Sequence, residues 1–254
     1  MLTQNNLRGR VAIIAGGSGY VGSAIVRQLA ADGMRIALLY RNAAEDDVAR
    51  VIQSLTGHGH QAYQCNLADE AAVTKTFVKI ETTQGIIAVA VYAAGSMPPG
   101  VKFYQASANY FTNYVLADIA GALHFLSQSG QILAKHGSGV LIGITTAAIV
   151  TTHNTRARGL YSPVKFAIQG MLAALHEELA PHNVEVYAVA PGVMPGGLNK
   201  NTPQAFLDIV RLAGSSKTLA NAADIALTIS KLCAGTAQDI REFTVLVAPE
   251  TEIQ

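Results

Sequence analysis

Tryptophan is absent from the 254 residues, and cysteine occurs only twice, as Cys65 and Cys233. Two isolated cysteines, with no CxxC and no histidine-rich neighbourhood, exclude a disulfide-stapled scaffold or a zinc ribbon. Buried, reduced thiols in a reducing compartment are the expectation. Charge is scarce too: Lys, Arg, Asp and Glu make up 14% of the chain and leave a formal net charge of +1. No basic face recommends nucleic acid, and no acidic tail recommends a basic partner. No apolar run has the length of a bilayer span, and MLTQNNLRGR at the N-terminus lacks the apolar stretch of a secretory signal. A cytoplasmic protein without membrane or nucleic-acid partners is expected. Apolar residues are what the chain does have. They are half of it, enough for a large core and too many for disorder.

Their arrangement alternates. RVAIIAG (10–16), RIALLY (35–40), IIAVAVYAAG (86–95), GVLIGITT (139–146), VEVYAVAPG (184–192) and FTVLVAP (243–249) read as strands, with QAYQCNL (61–67) a weaker seventh. Several are apolar at every position, as parallel strands covered by helices on both faces must be. Helical patterns fill the intervals, the two longest around 109–136 and 160–180. Strand–helix alternation throughout predicts an α/β doubly wound sheet in one domain over 1–254, with no repeat or linker. One stretch, 195–219, breaks the rhythm with a short helical pattern of its own after the sixth strand. Ligands bind at the carboxyl ends of such sheets, so this insertion is a candidate substrate lid, or else a surface loop.

Gly16, Gly17, Gly19 and Gly22 fall between the first strand and the first helix. Glycines there permit a tight turn and let backbone approach a pyrophosphate, whose charge a helix N-terminus stabilises. A dinucleotide is the expected ligand. The second strand ends in LLYRN, placing Tyr40, Arg41 and Asn42 where NAD binders usually carry an acidic residue. The forked guanidinium of Arg41 suits a 2′-phosphate, which favours NADPH/NADP+ over NADH.

Tyr161 and Lys165 lie four residues apart at the start of an amphipathic helix, on one face about a turn apart. An ammonium held beside a phenol favours the phenolate and makes the phenol a better proton donor near neutral pH. The same spacing also occurs on solvated helix faces. With the glycine loop, this pair and Pro191-Gly192 in that order, the chain resembles the short-chain dehydrogenase/reductase (SDR) family, in particular its 3-oxoacyl-carrier-protein reductase-like members. The likeness runs from about residue 8 to residue 249 and is densest over YSPVKFAIQGMLAALHEELAPHNVEVYAVAPGVM.

The resemblance implies a single-domain Rossmann-type fold of about seven mostly parallel strands. It implies a homodimer or homotetramer on the two long helices, and an NADPH-dependent oxidoreductase that reduces a carbonyl, free or in an acyl-thioester, to a secondary alcohol. Tyr161 would be the acid/base and Lys165 would hold the nicotinamide ribose. The family's serine falls on Thr146, with Thr145 competing, and its water-holding asparagine falls on Asp118. Cofactor contacts would come from Gly16, Ser18, Gly19, Tyr20, Val21 and Gly22, from Tyr40, Arg41 and Asn42, and from Asn66 and Leu67. Ala94, Gly95, Tyr161, Lys165, Pro191, Gly192 and Val193 complete the set. Several positions depart from the family pattern. Asp118 would pair its charge with Lys165 and disfavour the tyrosinate, YAAG replaces the family's NNAG, and Gly196 stands where a carboxamide-binding threonine is common. These departures motivate an alternative, an NADP(H)-binding sensor or scaffold with attenuated catalysis. Substrate recognition would draw on His153, Arg156 and Arg158, which are otherwise a solvated loop face, and on Met97, Tyr104 and Met194 as apolar walls.

Overall fold

The computed structural model describes residues 7–96, 102–150, 159–213, 219–237 and 242–247. Seven strands form one sheet in the order β3-β2-β1-β4-β5-β6-β7: β1 Val11–Ala15, β2 Arg35–Tyr40, β3 Gln61–Gln64, β4 Ile87–Tyr92, β5 Gly139–Ile144, β6 Val184–Pro191 and β7 Thr244–Val247. Every pairing is parallel, so no antiparallel edge strand occurs among the described residues. The helices are α1 Tyr20–Ala31, α2 Glu45–Gln53, α3 Glu70–Gln84, α4 Ala117–His136, α5 Tyr161–Leu179, α6 Gln204–Ala213 and α7 Ala222–Cys233. None of the described helices is long and apolar enough to cross a membrane.

The fully apolar strands are explained by two cores, one on each face of the sheet. Ala12 and Ile14 of β1 meet Ile25, Leu29, Ile225 and Ile229 of α1 and α7. Their neighbours Val11, Ile13 and Ala15 face the other way, to Phe77, Phe125 and Leu172 of α3, α4 and α5. Successive strand side chains point to opposite faces, so a strand covered on both sides must be apolar throughout, and all of β1, β4 and β5 is buried. Each large side chain so buried is worth about 1.5–3 kcal/mol.

β1 pairs with β2 on one side and β4 on the other. The chain order reverses there, which opens a crevice at the strands' carboxyl ends. The apolar run read as reaching residue 95 leaves the sheet at Tyr92, and Ala93 to Gly95 turn over the crevice instead. The long helix expected over 109–136 also differs. Before α4 it passes through a π-helical stretch, Phe111–Leu116, entered from a short turn, Ala108–Tyr110, capped by the Ser107 side chain. Wider turns of this kind recur at functional sites, and this one leads directly to Asp118. Tyr92 packs its ring against Phe125 at 5.7 Å between centroids, and its hydroxyl donates to the Asp118 carbonyl at 3.4 Å. The end of β4 and the start of α4 are thereby joined. Cys65 and Cys233 are both buried free thiols.

Candidate active site

Two cavities, of about 280 and 240 Å³, run along the carboxyl edge of the sheet and meet at Gly19 and Ala93–Gly95. The turn beneath their junction is built by close approach. Gly16 has φ +76°, and a Cβ there would lie 2.8 Å from the Ala94 Cα. A Cβ on Gly22 would lie 2.1 Å from the Gly16 carbonyl oxygen. A side chain at Gly16 would displace the Ala93–Ala94 backbone beyond β4, and one at Gly22 would push α1 off the turn. Gly19 is exposed to the cleft, and α1 begins there with no side-chain cap and no acidic residue in its first turn. By contrast α3 and α7 are capped by Asp69 and Asn221. The first amides of α1 carry the positive end of the helix dipole and have no side-chain acceptor, the arrangement a pyrophosphate needs. A dinucleotide therefore fits the residues present.

The 240 Å³ lobe lies toward β2 and β3 and is lined by Gly16, Ser18, Tyr40, Arg41, Asn66 and Leu67. Arg41 is exposed and makes no salt bridge among the described residues. Asn66 is exposed as well, its amide oxygen accepting from the Ala68 N–H at 3.3 Å. Asn42 is exposed and lines neither lobe. The chain leaves Tyr40 for α2 before reaching it.

The 280 Å³ lobe holds Thr145, Thr146, Tyr161, Lys165 and Pro191 to Met194. Tyr161 is the first residue of α5, which faces β5 and β6, and Lys165 follows a turn later with its ammonium 5.7 Å from the Tyr161 ring centroid. Lys165 is only 6% exposed, and its Nζ donates to the Ile144 carbonyl at 2.9 Å. Burial lowers its pKa to about 8, against the opposing pull of the Asp118 carboxylate. The threonines are told apart by their bonds. Thr145 is buried, with both its N–H and its hydroxyl directed to the Val189 carbonyl. Thr146 is half-buried, and its Oγ1 accepts from the Ala148 N–H, which leaves its own proton free to donate.

Asp118 acts on Lys165 only at a distance, its charge raising the lysine's pKa. It makes no salt bridge with Lys165. Its Oδ2 accepts from the Ser96 N–H at 3.0 Å and the Ser96 hydroxyl at 2.8 Å. The carboxylate is thus solvated by the chain just beyond β4. Asp118, Ser96, Tyr161 and Lys165 all line a further cavity of about 10 Å³, roughly the space of a single water.

Of the other positions read from the sequence, Val21, Gly22, Ala94, Gly95, Gly192, Val193 and Met194 line the cleft. Tyr104 is 77% exposed and lines none of the three cavities. Met97, His153, Arg156 and Arg158 lie outside the described residues. The insertion begins on the cleft, where Gly196 to Asn199 and Phe206 form part of the wall. Ser96, Leu198 and Phe206 were not singled out from sequence. No local pattern marks them, because each reaches the cleft through the tertiary fold.

An all-parallel doubly wound sheet, a bare glycine turn at its switch point and a Tyr–Lys pair facing the same crevice define a Rossmann-type α/β enzyme scaffold. The family model for enoyl-(acyl carrier protein) reductase, of the short-chain alcohol dehydrogenase type, matches residues 17–244. The chain belongs to the short-chain dehydrogenase/reductase family of oxidoreductases. It is 28% identical over 185 residues to carbonyl reductase family member 4 of Danio rerio, covering 73% of this chain and 76% of that one. The fold is shared with a metagenomic short-chain oxidoreductase in complex with NADP (TM-score 0.76, 23% identity, 96% and 99% of the two chains). It is shared also with NAD+-bound xylitol dehydrogenase (TM-score 0.84, 21% identity, 95% and 98%).

Proposed function

We propose that the protein is an NADPH-dependent carbonyl reductase that forms a secondary alcohol with Tyr161 as proton donor. The observation that carries this reading is the convergence of Tyr161, Lys165 and Thr146 on one lobe of a cleft whose centre is the bare glycine turn. NADPH, when bound, supplies the hydride that the substrate carbonyl carbon accepts. Gly19 and the first amides of α1 would hold its pyrophosphate, Arg41 its 2′-phosphate, and Lys165 its nicotinamide ribose. As charge develops on the substrate oxygen, the Tyr161 hydroxyl gives it a proton and the Thr146 hydroxyl donates a hydrogen bond to it. The Lys165 ammonium, desolvated beside the Tyr161 ring, stabilises the phenolate left behind. Ala147, Ala148, Met194, Leu198 and Phe206 would exclude water around the substrate. The insertion over 195–219 would act as the lid. The substrate is a free carbonyl or an acyl-thioester, and the enzyme works in the cytoplasm.

A homodimer or homotetramer is part of the proposal. Leu123 and Phe166 are 50% and 58% exposed on α4 and α5, and Gly170 and Ala174 of α5 are exposed beside them. A second reading, dinucleotide binding without turnover, draws on the commitment of Lys165 to Ile144 and of Asp118 to Ser96. Tyr161→Phe separates the two. NADPH oxidation across quinones, β-ketoesters and acyl-thioesters should fall by about 10²–10⁴ in kcat while NADPH still binds. A Tyr161→Phe enzyme reducing at the wild-type rate would remove Tyr161 from the chemistry.

A further inference from the structure

Tyr20 is a large aromatic residue that belongs to neither core and is 43% exposed. It is the first residue of α1, next to Gly19, at the point where the two lobes meet. Its ring lies along Gly196 and Gly197, beyond the turn that follows β6. A Cβ on Gly196 would be 2.9 Å from the ring Cζ and 3.0 Å from Cε2. A Cβ on Gly197 would be 3.0 Å from Cδ1 and 3.2 Å from the Tyr20 Cβ. Both glycines also have left-handed backbones, φ +87° and +56°. Two consecutive residues are therefore bare where the ring passes, and the ring fills the space their side chains would take. Tyr20, Gly196 and Gly197 all line the 280 Å³ lobe. The contact bridges the glycine turn and the segment leading to α6, both of which line the cleft.

We propose that Tyr20 is a clasp: a positioning residue whose ring pins the segment after β6 against the glycine turn and slows release of a dinucleotide held between the two lobes. The proposal rests on the dinucleotide reading above. The ring is what acts: Cζ, Cε2, Cδ1 and Cγ make four of the close approaches, the hydroxyl (3.2 Å from a Gly196 Cβ) and the Tyr20 Cβ the others. Its removal frees the Gly196–Asn199 turn, whose Asn199 and Lys200 amides donate to the Gly196 and Gly197 carbonyls, from the surface it rests on.

The test measures NADPH release by stopped-flow fluorescence in wild type, Tyr20→Ala and Tyr20→Phe, and amide exchange at Asn199 and Lys200 in the ligand-free proteins. Tyr20→Ala should release NADPH about fivefold faster, the change expected of one lost ring contact. Its Asn199 and Lys200 amides should exchange faster at an unchanged melting temperature. Tyr20→Phe should match wild type in both. Unchanged release and exchange in Tyr20→Ala would overturn the clasp. A wild type that binds neither NADPH nor NADH would overturn the dinucleotide reading itself, and the clasp's role in release with it.

Discussion

The two lobes of the cleft are built from the same sheet edge by opposite means. Toward β2 and β3, the groups with chemistry to offer are exposed: Arg41 and Asn66 reach into solvent, and Gly19 presents bare backbone. Toward β5 and β6 the cation is buried and bonded within the protein, Lys165 to the Ile144 carbonyl, with Thr145 held to the Val189 carbonyl and with Tyr161 and Thr146 half-buried above them. An exposed cation keeps its charge at little cost and waits for a ligand. A buried one is destabilised as an ion, and every neighbouring dipole then matters. The first lobe is suited to holding a ligand and the second to shifting a proton equilibrium. On the proposed function the dinucleotide would lie across both lobes, its 2′-phosphate met in the first and the acid–base chemistry carried out in the second.

Removing the buried cation is the sharpest way to break this contrast. Lys165→Met should reduce kcat by about 10²-fold, the loss expected when a proton transfer loses its electrostatic support. The same change should make the protein more stable. The folded-state pKa of Lys165 is about 8, below the ~10.4 of an unfolded lysine. Between those values the unfolded chain binds more protons, so stability rises with pH across that window. The burdened, charged form prevails below it. At pH 7 Lys165→Met relieves that burden, and loses the hydrogen bond to Ile144 together with the weaker attractions to Asp118 and the Tyr161 ring. The melting temperature should rise by about 2–4 °C, the shift that a net 1 kcal/mol gives a domain of this size. A variant that is both less active and less stable would show that the ammonium is structural.

The exposed lobe should respond differently. Arg41→Ala should lower the preference for NADPH over NADH by about 10–100-fold in kcat/KM, as the loss of a hydrogen-bonded charge of about 1.5–3 kcal/mol implies. Melting temperature and the kcat with saturating NADPH should hardly move, because Arg41 has no salt bridge among the described residues. An unchanged cofactor ratio would mean that this lobe reads the ligand's shape and not its charge.

The contrast between the lobes also marks what could be read from sequence. Strand–helix alternation, the glycine turn after β1 and the spacing of Tyr161 and Lys165 are local patterns, and each is present in the fold. Periodicity tells which face a residue occupies but not what it meets there. Charge alone suggested that Asp118 pairs with Lys165. The folded chain keeps that coupling without a salt bridge, and brings Ser96, 22 residues away, against the carboxylate with two donors. Lys165 finds the Ile144 carbonyl 21 residues away, and Tyr20 finds two glycines 176 and 177 residues on, at 196 and 197. The π-helical stretch before α4 was equally hidden, since its apolar spacing passes for that of an ordinary helix. Asn42, one residue past Arg41, misses the cleft because the chain has already turned toward α2.

Asp118 offers the subtlest test. Its carboxylate raises the Lys165 pKa while burial lowers it further, so the charge of Lys165 near neutral pH depends on both. Asp118→Asn removes the charge and can keep both contacts to Ser96 by placing its amide oxygen where Oδ2 now accepts from the N–H and the hydroxyl. With the carboxylate gone, the Lys165 pKa should fall below its present value of about 8. If Tyr161 needs a charged lysine beside it, the alkaline limb of the kcat profile should sit near pH 8 in wild type and move downward in the variant by roughly 0.5–1 unit, the range that one neighbouring charge commonly shifts. At pH 6, where the lysine is charged in both proteins, the rates should converge. A limb that stays in place would show that the Asp118 charge is absorbed by Ser96 and does not reach Lys165. A limb that moves upward would reverse the sign of the coupling and detach it from the lysine altogether.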